Sequence, residues 1–111
     1  MKISIKATNL DLTPSLKIYI NSKLSGIDKL VKRFDEGGDV QLRLEIGRIT
    51  KHHHKGDVFM AEINLDLPGK VLRSEVSGPD VHQVLDEAKN KLRLEIEKFK
   101  SRSNPKAKLK G

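Results

Sequence analysis

The spacing of apolar residues changes along this chain, and that change most constrains the fold. Apolar residues alternate with polar ones in residues 2–7, and they alternate again in three runs between residues 40 and 76. In residues 14–34 and 79–99 they recur at every third or fourth position. Alternation is typical of a strand with one buried face, and the longer spacing is typical of an amphipathic helix. The sequence therefore predicts the order β-α-β-β-β-α.

Residues with special backbone preferences mark the predicted boundaries. A threonine and a proline at 13–14 are the residues preferred at a helix N-cap and first helical position. The glycine pair at 37–38 is expected to end this helix. The Pro-Gly pair at 68–69 predicts a tight turn, and Pro79 is expected at the first position of the second helix.

Each predicted helix has one apolar stripe and each strand has one apolar face, so these surfaces should share one core. We expect an α+β fold, with both helices packed on one face of a four-stranded mixed sheet. The first two strands should be parallel, with a right-handed crossover through the helix, and the last three antiparallel. This arrangement is similar to the double-stranded-RNA-binding domain. The two predicted stripes comprise Leu16, Ile20, Leu24, Ile27, Val31 and Phe34, then Val81, Val84, Leu85, Ala88, Leu92, Ile96 and Phe99.

The formal net charge is +7, and the positive charge is concentrated in two segments. Residues 14–34 carry five cationic side chains against one acid, Asp28, and residues 100–111 carry five cationic side chains and no acid. Such clustering favours a polyanionic partner. A soluble basic domain with a solubilising tail is the alternative. We expect one domain in residues 1–100 and a basic, disordered tail in residues 101–111.

Several classes of function find no support in the residues. The absence of cysteine excludes disulfides and thiolate metal sites, and no stretch has the form of a signal peptide or a membrane span. A cytoplasmic protein is expected. No nucleophile elbow or glycine-rich phosphate loop is present, so we expect no enzyme, no cofactor and no small-molecule substrate. Aromatic residues make up 4% of the chain, which argues against base stacking as the mode of recognition.

The triplet His52-His53-His54 falls in a predicted hairpin loop and invites a metal hypothesis. Neighbouring side chains in an extended loop point apart, so a complete site would need ligands from elsewhere. The lysines on either side repel a cation. We therefore expect no metal site, and interpret the triplet as a polar loop that gains charge at low pH.

Two short signatures resemble those of the short ribosome hibernation-promoting factors, the ribosome-associated inhibitor A or sigma-54 modulation protein family. The first signature lies in the first helix and comprises Leu12-Thr13-Pro14, Leu16, Lys23-Leu24 and Asp28-Lys29-Leu30. The second lies in the second helix and comprises Asp80-Val81-His82, Asn90-Lys91-Leu92 and Lys98. The sequence departs from the family pattern at Gly26 and Leu94, where the family carries basic residues.

The resemblance, which covers about residues 2–100, implies a function. It implies binding to the small ribosomal subunit and its rRNA at the decoding region, with occlusion of the mRNA and tRNA sites in idle ribosomes. The chain resembles the short members, which lack the second domain that pairs ribosomes, so a monomer off the ribosome is expected. Two alternatives remain open: a general double-stranded-RNA-binding module, and a protein-interaction adaptor with an acidic partner.

The expected RNA contacts are cations that flank the two helical stripes. Helices lying side by side would place these flanks along a shared groove, where cations neutralise phosphates without reading bases. Ordinary solvated charge, with i,i+4 pairs such as Asp28–Lys32 and Glu87–Lys91, is the alternative. The predicted contacts are Lys23, Lys29 and Arg33 of the first helix, Lys89, Arg93 and Lys100 on one flank of the second, and Lys91 and Lys98 on its other flank.

Overall fold

The computed structural model of this chain describes residues 1–35, 37–49, 56 and 58–103, and it has the predicted order of elements. Strand β1 pairs in parallel with β2, and β2, β3 and β4 form an antiparallel meander. The predicted α+β fold is confirmed. The elements are β1 (Lys2–Thr8), α1 (Pro14–Val31), a 3-10 helix (Lys32–Phe34), β2 (Gln41–Ile49), β3 (Val58–Leu67), β4 (Lys70–Gly78) and α2 (Val81–Ser103).

One hydrophobic core joins both helices to one face of the sheet, and the predicted stripes supply it. The stripe residues are buried except for Phe34, Val81 and Phe99, which are half-buried and pack against the core. Ser74 is a polar residue in this core, and its hydroxyl donates to the carbonyl oxygen of Ala88 at 2.8 Å. This bond satisfies a buried hydroxyl and fixes α2 against β4.

Both helices begin at side-chain caps, but the second begins two residues later than predicted. Thr13 Oγ1 accepts from the amide of Leu16 at 3.2 Å. At α2, Asp80 Oδ1 accepts from the amide of His82 at 2.8 Å. The expectation that Pro79 would occupy the first helical position is wrong, because Asp80 takes the capping position and Pro79 precedes it.

The end of α1 also differs from the expectation. The α-helix ends at Val31, and a 3-10 helix follows, so the glycine pair at 37–38 does not close α1. Side chains three residues apart eclipse in 3-10 geometry, which keeps Phe34 in line with Val31 on the core side. There the Phe34 ring meets the Phe99 ring edge-on, with centroids 5.3 Å apart.

Helix α2 continues to Ser103, so the first three residues of the segment predicted to be disordered are helical. Residues 104–111 lie outside the described part of the chain, and so does the histidine triplet at 52–54. Across the residues that are described, neither helix combines the length and the apolar character needed to cross a membrane.

Candidate nucleic-acid interface

A polar cluster lies where α1 and α2 meet near their first turns. Tyr19 Oη donates to Asp86 Oδ1 at 2.8 Å, and Lys23 Nζ lies 3.4 Å from the same oxygen. Burial and, after it, the hydrogen bond to Asp86 raise the pKa of Tyr19 to about 12. The His82 ring packs edge-on against Tyr19, with centroids 4.5 Å apart. Tyr19 therefore remains a protonated donor, and the charge of Lys23 is compensated by Asp86.

Lys89 reaches across the same seam between the helices, opposite Gly26. Its Nζ lies 3.4 Å from the point that a Cβ on Gly26 would occupy. Lys89 is half-buried, and it makes no ion pair with any acid in the described ranges. Between the two helices, Lys23 is therefore paired with an acid, whereas Lys89 is not paired with any acid of the described residues.

An open depression of about 930 Å³ lies where the end of α1 approaches the end of α2. Cations from both helices and the 3-10 helix line it, with two acids and two apolar residues. The lining residues are Lys29, Lys32, Arg33 and Lys100, then Asp28, Asp35, Met1 and Leu30. The fold brings Lys29, Arg33 and Lys100 together here, although Lys100 is 67 residues or more from the other two in sequence.

The two acids of this depression contact the amino group of Met1, and they do not pair with the described lysines or arginine of the depression. The Met1 amino group contacts Asp35 and lies 3.7 Å from Asp28. Asp35 Oδ1 also accepts from the amide of Val40 at 3.1 Å. The hydrogen bond from the Met1 amino group, followed by that from Val40, lowers the pKa of Asp35. Both carboxylates face this amino group, and neither forms an ion pair with Lys29, Lys32, Arg33 or Lys100, four residues that the structure describes.

The eight predicted RNA-contacting residues therefore fall into two groups, those with an acid partner and those without one. Arg93 lies 3.9 Å from Glu97, Lys98 lies 3.6 Å from Glu95, and Lys23 is paired as described above. The i,i+4 pairs of the alternative interpretation, Asp28–Lys32 and Glu87–Lys91, whose residues are all described, do not form. Among residues that the structure describes, no acid lies within 4.0 Å of the charged atoms of the other five, Lys29, Arg33, Lys89, Lys91 and Lys100.

The structure does not bring all eight residues to one groove. The flank of α2 that faces α1 carries Lys89 and Lys100, because Lys89 contacts Gly26 and Lys100 lines the depression. At about 100° per residue, Lys91 and Lys98 lie on the opposite flank, away from α1. The predicted groove therefore holds the α1 cations and one flank of α2 only.

Lys32 also belongs to this surface, although it is not among the predicted contacts. It is exposed and lines the depression together with Lys29 and Arg33. The basic run at residues 29–33 is a usable signal, but the expected pair with Asp28 assigns Lys32 to ordinary solvated charge. In the structure Asp28 turns toward the Met1 amino group instead.

The open face of the sheet differs, because Arg43 and Arg73 are paired there. Arg43 lies 2.7 Å from Asp66, and Arg73 lies 2.8 Å from Glu62 and 3.0 Å from Glu75. The pKa of Glu62 is lowered by the hydrogen bond from Asn64 and then by Arg73. Over the described ranges, no group of three or more His, Cys, Asp or Glu residues could hold a metal ion.

The family of this chain follows from the similarity of its sequence to known protein families. Residues 3–104 match the family described as sigma 54 modulation protein / S30EA ribosomal protein. The chain belongs to this family. The predicted membership is confirmed, and the matched residues include all eight predicted contacts.

Relatives in the family span two length classes. The chain is 30% identical over 111 residues to the ribosome hibernation promotion factor of Bacillus subtilis, covering 100% of this chain and 54% of that protein. It is 24% identical over 102 residues to the ribosome hibernation promoting factor of Klebsiella oxytoca, covering 92% of this chain and 96% of that protein. The chain spans about half the length of the Bacillus, Deinococcus and Lactococcus relatives that it matches.

Solved structures share the fold. The N-terminal domain of Protein Y from Thermus thermophilus superposes with a TM-score of 0.70 at 26% identity, covering 89% of this chain and 99% of that one. A ribosomal subunit interface protein from Coxiella burnetii superposes with a TM-score of 0.68 at 19% identity, covering 91% and 99%. The second likeness concerns the fold alone.

Proposed function

We propose that this chain binds the small ribosomal subunit at the decoding region and silences idle ribosomes by occluding the mRNA and tRNA sites. Family membership supports the proposal, since relatives in this family carry the name ribosome hibernation promotion factor. The proposed mechanism is steric, so it needs no cofactor and no catalytic step. The chain would act as a monomer in the cytoplasm, where ribosomes are found.

The observation that carries the proposal is the set of unpaired cations on the helix side. A lysine or arginine with an acid partner must exchange that partner for a phosphate, whereas an unpaired one gains the new contact at little cost. Five of the eight predicted contacts have no acid partner among the described residues. Phosphate contacts of this kind position a protein on RNA without reading its sequence.

The aromatic residues support backbone contact over base stacking. Phe34, Phe59, Phe99 and Tyr19 are half-buried and pack against the core. The Tyr19 hydroxyl is also committed to Asp86. Recognition of single-stranded bases generally uses exposed aromatic side chains, and on the described surface these four rings are held by the protein's own packing.

Sucrose-gradient sedimentation with purified Bacillus subtilis 30S subunits tests the partner. We expect the protein to travel with the subunits at low salt and to bind a free RNA duplex of about 20 base pairs far more weakly. That length is enough for a double-stranded-RNA-binding domain. Equal affinity for the duplex would favour the general RNA-binding module instead. Binding to neither RNA would favour an adaptor with an acidic protein partner.

Competition tests the place of binding. Subunits already loaded with mRNA and initiator tRNA should bind the protein much more weakly than empty subunits. The reason is that the proposed binding site of the protein overlaps the sites of the mRNA and the tRNA. The protein should also inhibit cell-free translation. If loaded and empty subunits bind it equally well, the decoding region is the wrong location.

A further inference from the structure

Gly26 occupies the middle of α1 on the flank that faces α2, and the helix itself gives no reason for a glycine there. Glycine is among the residues least favourable to a helix interior. The space beside it is taken by Lys89, whose Nζ and Cε lie 3.4 Å and 3.7 Å from the position of a Cβ on Gly26. A methyl group would meet the ammonium at van der Waals distance. Any longer side chain would need the volume that Lys89 fills.

Lys89 is held in this place without a compensating charge from the described residues. It is half-buried, and Asp86, one turn earlier on α2, already receives Tyr19 and Lys23. No ion pair joins Lys89 to an acid in the described ranges. Partial burial of an unpaired ammonium is unfavourable. An anion arriving from outside would supply the missing partner.

The position of Lys89 relative to the depression points to the kind of anion. Lys100 lies eleven residues later, on the same flank of α2, which places the two about 16 Å apart along the helix. Lys100 is also half-buried and faces the depression with Lys29 and Arg33. Cations thus follow the seam from Lys89 to the depression, and an extended polyanion fits such a line better than a single small anion.

We propose that Gly26 is a positioning residue for RNA binding. A residue no larger than alanine at this position leaves the seam open, and Lys89 lies across it and presents its ammonium to an RNA phosphate. This inference rests on the proposed function and adds the residue that makes the predicted contact of Lys89 possible. Gly26 itself touches no RNA and acts through Lys89 alone.

Two single variants and their combination test the inference with 30S subunits. K89M should weaken binding by about fivefold, as expected when one exposed ion pair is removed. It should also reduce the log–log salt slope of the affinity by about one. G26L should cause the same two changes, because leucine displaces Lys89. The G26L/K89M double variant should bind no more weakly than K89M, since both changes remove the same interaction.

Two further variants on α1 separate this role from a packing role. G26A should keep wild-type affinity and slope and should melt at the same temperature or higher, because alanine fits at contact distance and favours the helix. S25L adds the same leucine one residue earlier on the exposed surface and should leave the salt slope unchanged. Variants are compared below their melting temperatures, measured by circular dichroism.

Several outcomes would overturn the inference. A G26L protein with wild-type salt slope would do so, as would additive losses of affinity in the double variant. A lower melting temperature for G26A would show that packing of the helices, and not Lys89, requires the glycine. If K89M binds like wild type while reversal of the depression cations abolishes binding, only this inference fails. If reversal of those cations has no effect, the proposed function fails as well.

Discussion

The arginines on the open face of the sheet and the cations of the depression between α1 and α2 differ in how they are paired. On the sheet, Arg43 lies within 3.0 Å of an acid on a neighbouring strand, and Arg73 lies that close to two acids. On the helix side, Lys29, Arg33 and Lys100 line a depression whose acids are directed at the Met1 amino group. The number of cations is therefore a poor guide to a ligand surface. Their partners are a better one.

Geometry explains the difference. Residues opposite each other on neighbouring strands have Cβ atoms about 5 Å apart, so an arginine on a sheet can reach an acid across the strand. Glu62 and Glu75 are directly opposite in the β3–β4 register, and Arg73 on the same face reaches both. On the helix side, Lys23, Arg93 and Lys98 also have acid partners. Lys29, Arg33 and Lys100 have none among the described residues, so they remain available to a partner.

The largest expected effect comes from reversing charge on the helix side. K29E/R33E/K100E changes the charge of the depression by six units and exchanges attraction to phosphate for repulsion. We expect 30S affinity to fall on the order of ten-thousandfold, taking about 1 kcal/mol for each ion pair with phosphate that is removed and a comparable amount for each repulsion. Exposed substitutions change stability little, so the variant should remain folded. Fluorescence anisotropy of labelled protein measures the affinity.

The matched control reverses three exposed lysines of the strands, in K2E/K6E/K70E. It makes the same change in net charge, so any effect of total charge is shared by both proteins. We expect its affinity to stay within about threefold of wild type, because distant surface charges are screened over ~8 Å at physiological salt. A greater loss of affinity in the sheet variant than in the helix-side variant would place the interface on the wrong side of the protein.

Salt dependence gives the next largest effect. Five unpaired cations, if each meets a phosphate, predict a log–log slope of about −3 to −5 for 30S affinity. Affinity should then fall about a hundredfold between 50 and 200 mM salt. A slope near zero would mean that binding does not use these cations. The sheet control should keep the wild-type slope, whereas the helix-side variant should have a much shallower one.

A smaller effect, on stability alone, is expected on the sheet. R73A leaves Glu62 and Glu75 opposite each other with no cation between them, and like charges in that position are destabilising. The free energy of unfolding should fall by about 0.5–1 kcal/mol in urea titrations, while 30S affinity stays unchanged. K29A should show the reverse pattern, with unchanged stability and weaker binding. If R73A weakens binding as much as K29A does, the two faces are not functionally distinct.

The smallest effect concerns pH. The pKa of Glu62 is lowered in the folded protein, so its ionised form stabilises the fold above the pKa of the unfolded chain. This contribution is lost as the pH falls through the lowered folded pKa. Wild type should therefore exceed E62Q in urea midpoint at pH 7, and the difference should shrink in acid. A difference that is constant with pH would show that the Glu62 charge contributes nothing.

Much of the fold is predictable because its signals are local. The change of apolar period identifies all six main elements, and the Thr13-Pro14 pair locates the start of α1 correctly. The three errors occur at ends, since the sequence pattern puts Pro79 inside α2, extends α1 to the glycines at 37–38 and ends α2 before residue 101. In the first two cases a side chain decides the boundary, the cap at Asp80 and the contact of Phe34 with Phe99.

For the candidate site, the sequence predicts which residues take part but not how they are arranged or paired in space. The helical wheel predicts two basic flanks on α2, but it does not show which flank faces α1. It also cannot show that Asp28 turns from Lys32 to the Met1 amino group. These outcomes depend on the relative placement of elements that are distant in sequence, which no local pattern contains.

The sequence by itself determined the order of elements, the core, the family and the basic character of the surface. Each follows from a repeat or motif within one or two elements, where the physics of burial and capping is local. Only the tertiary structure decided which cations of the described surface lack an acid partner there. Tyr19 and Asp86 are 67 residues apart, and Met1 and Asp35 are 34 apart. The fold thus directs Asp86 to Tyr19 and Lys23 and directs Asp35 to the Met1 amino group, and contacts of that range exist only once the chain has folded.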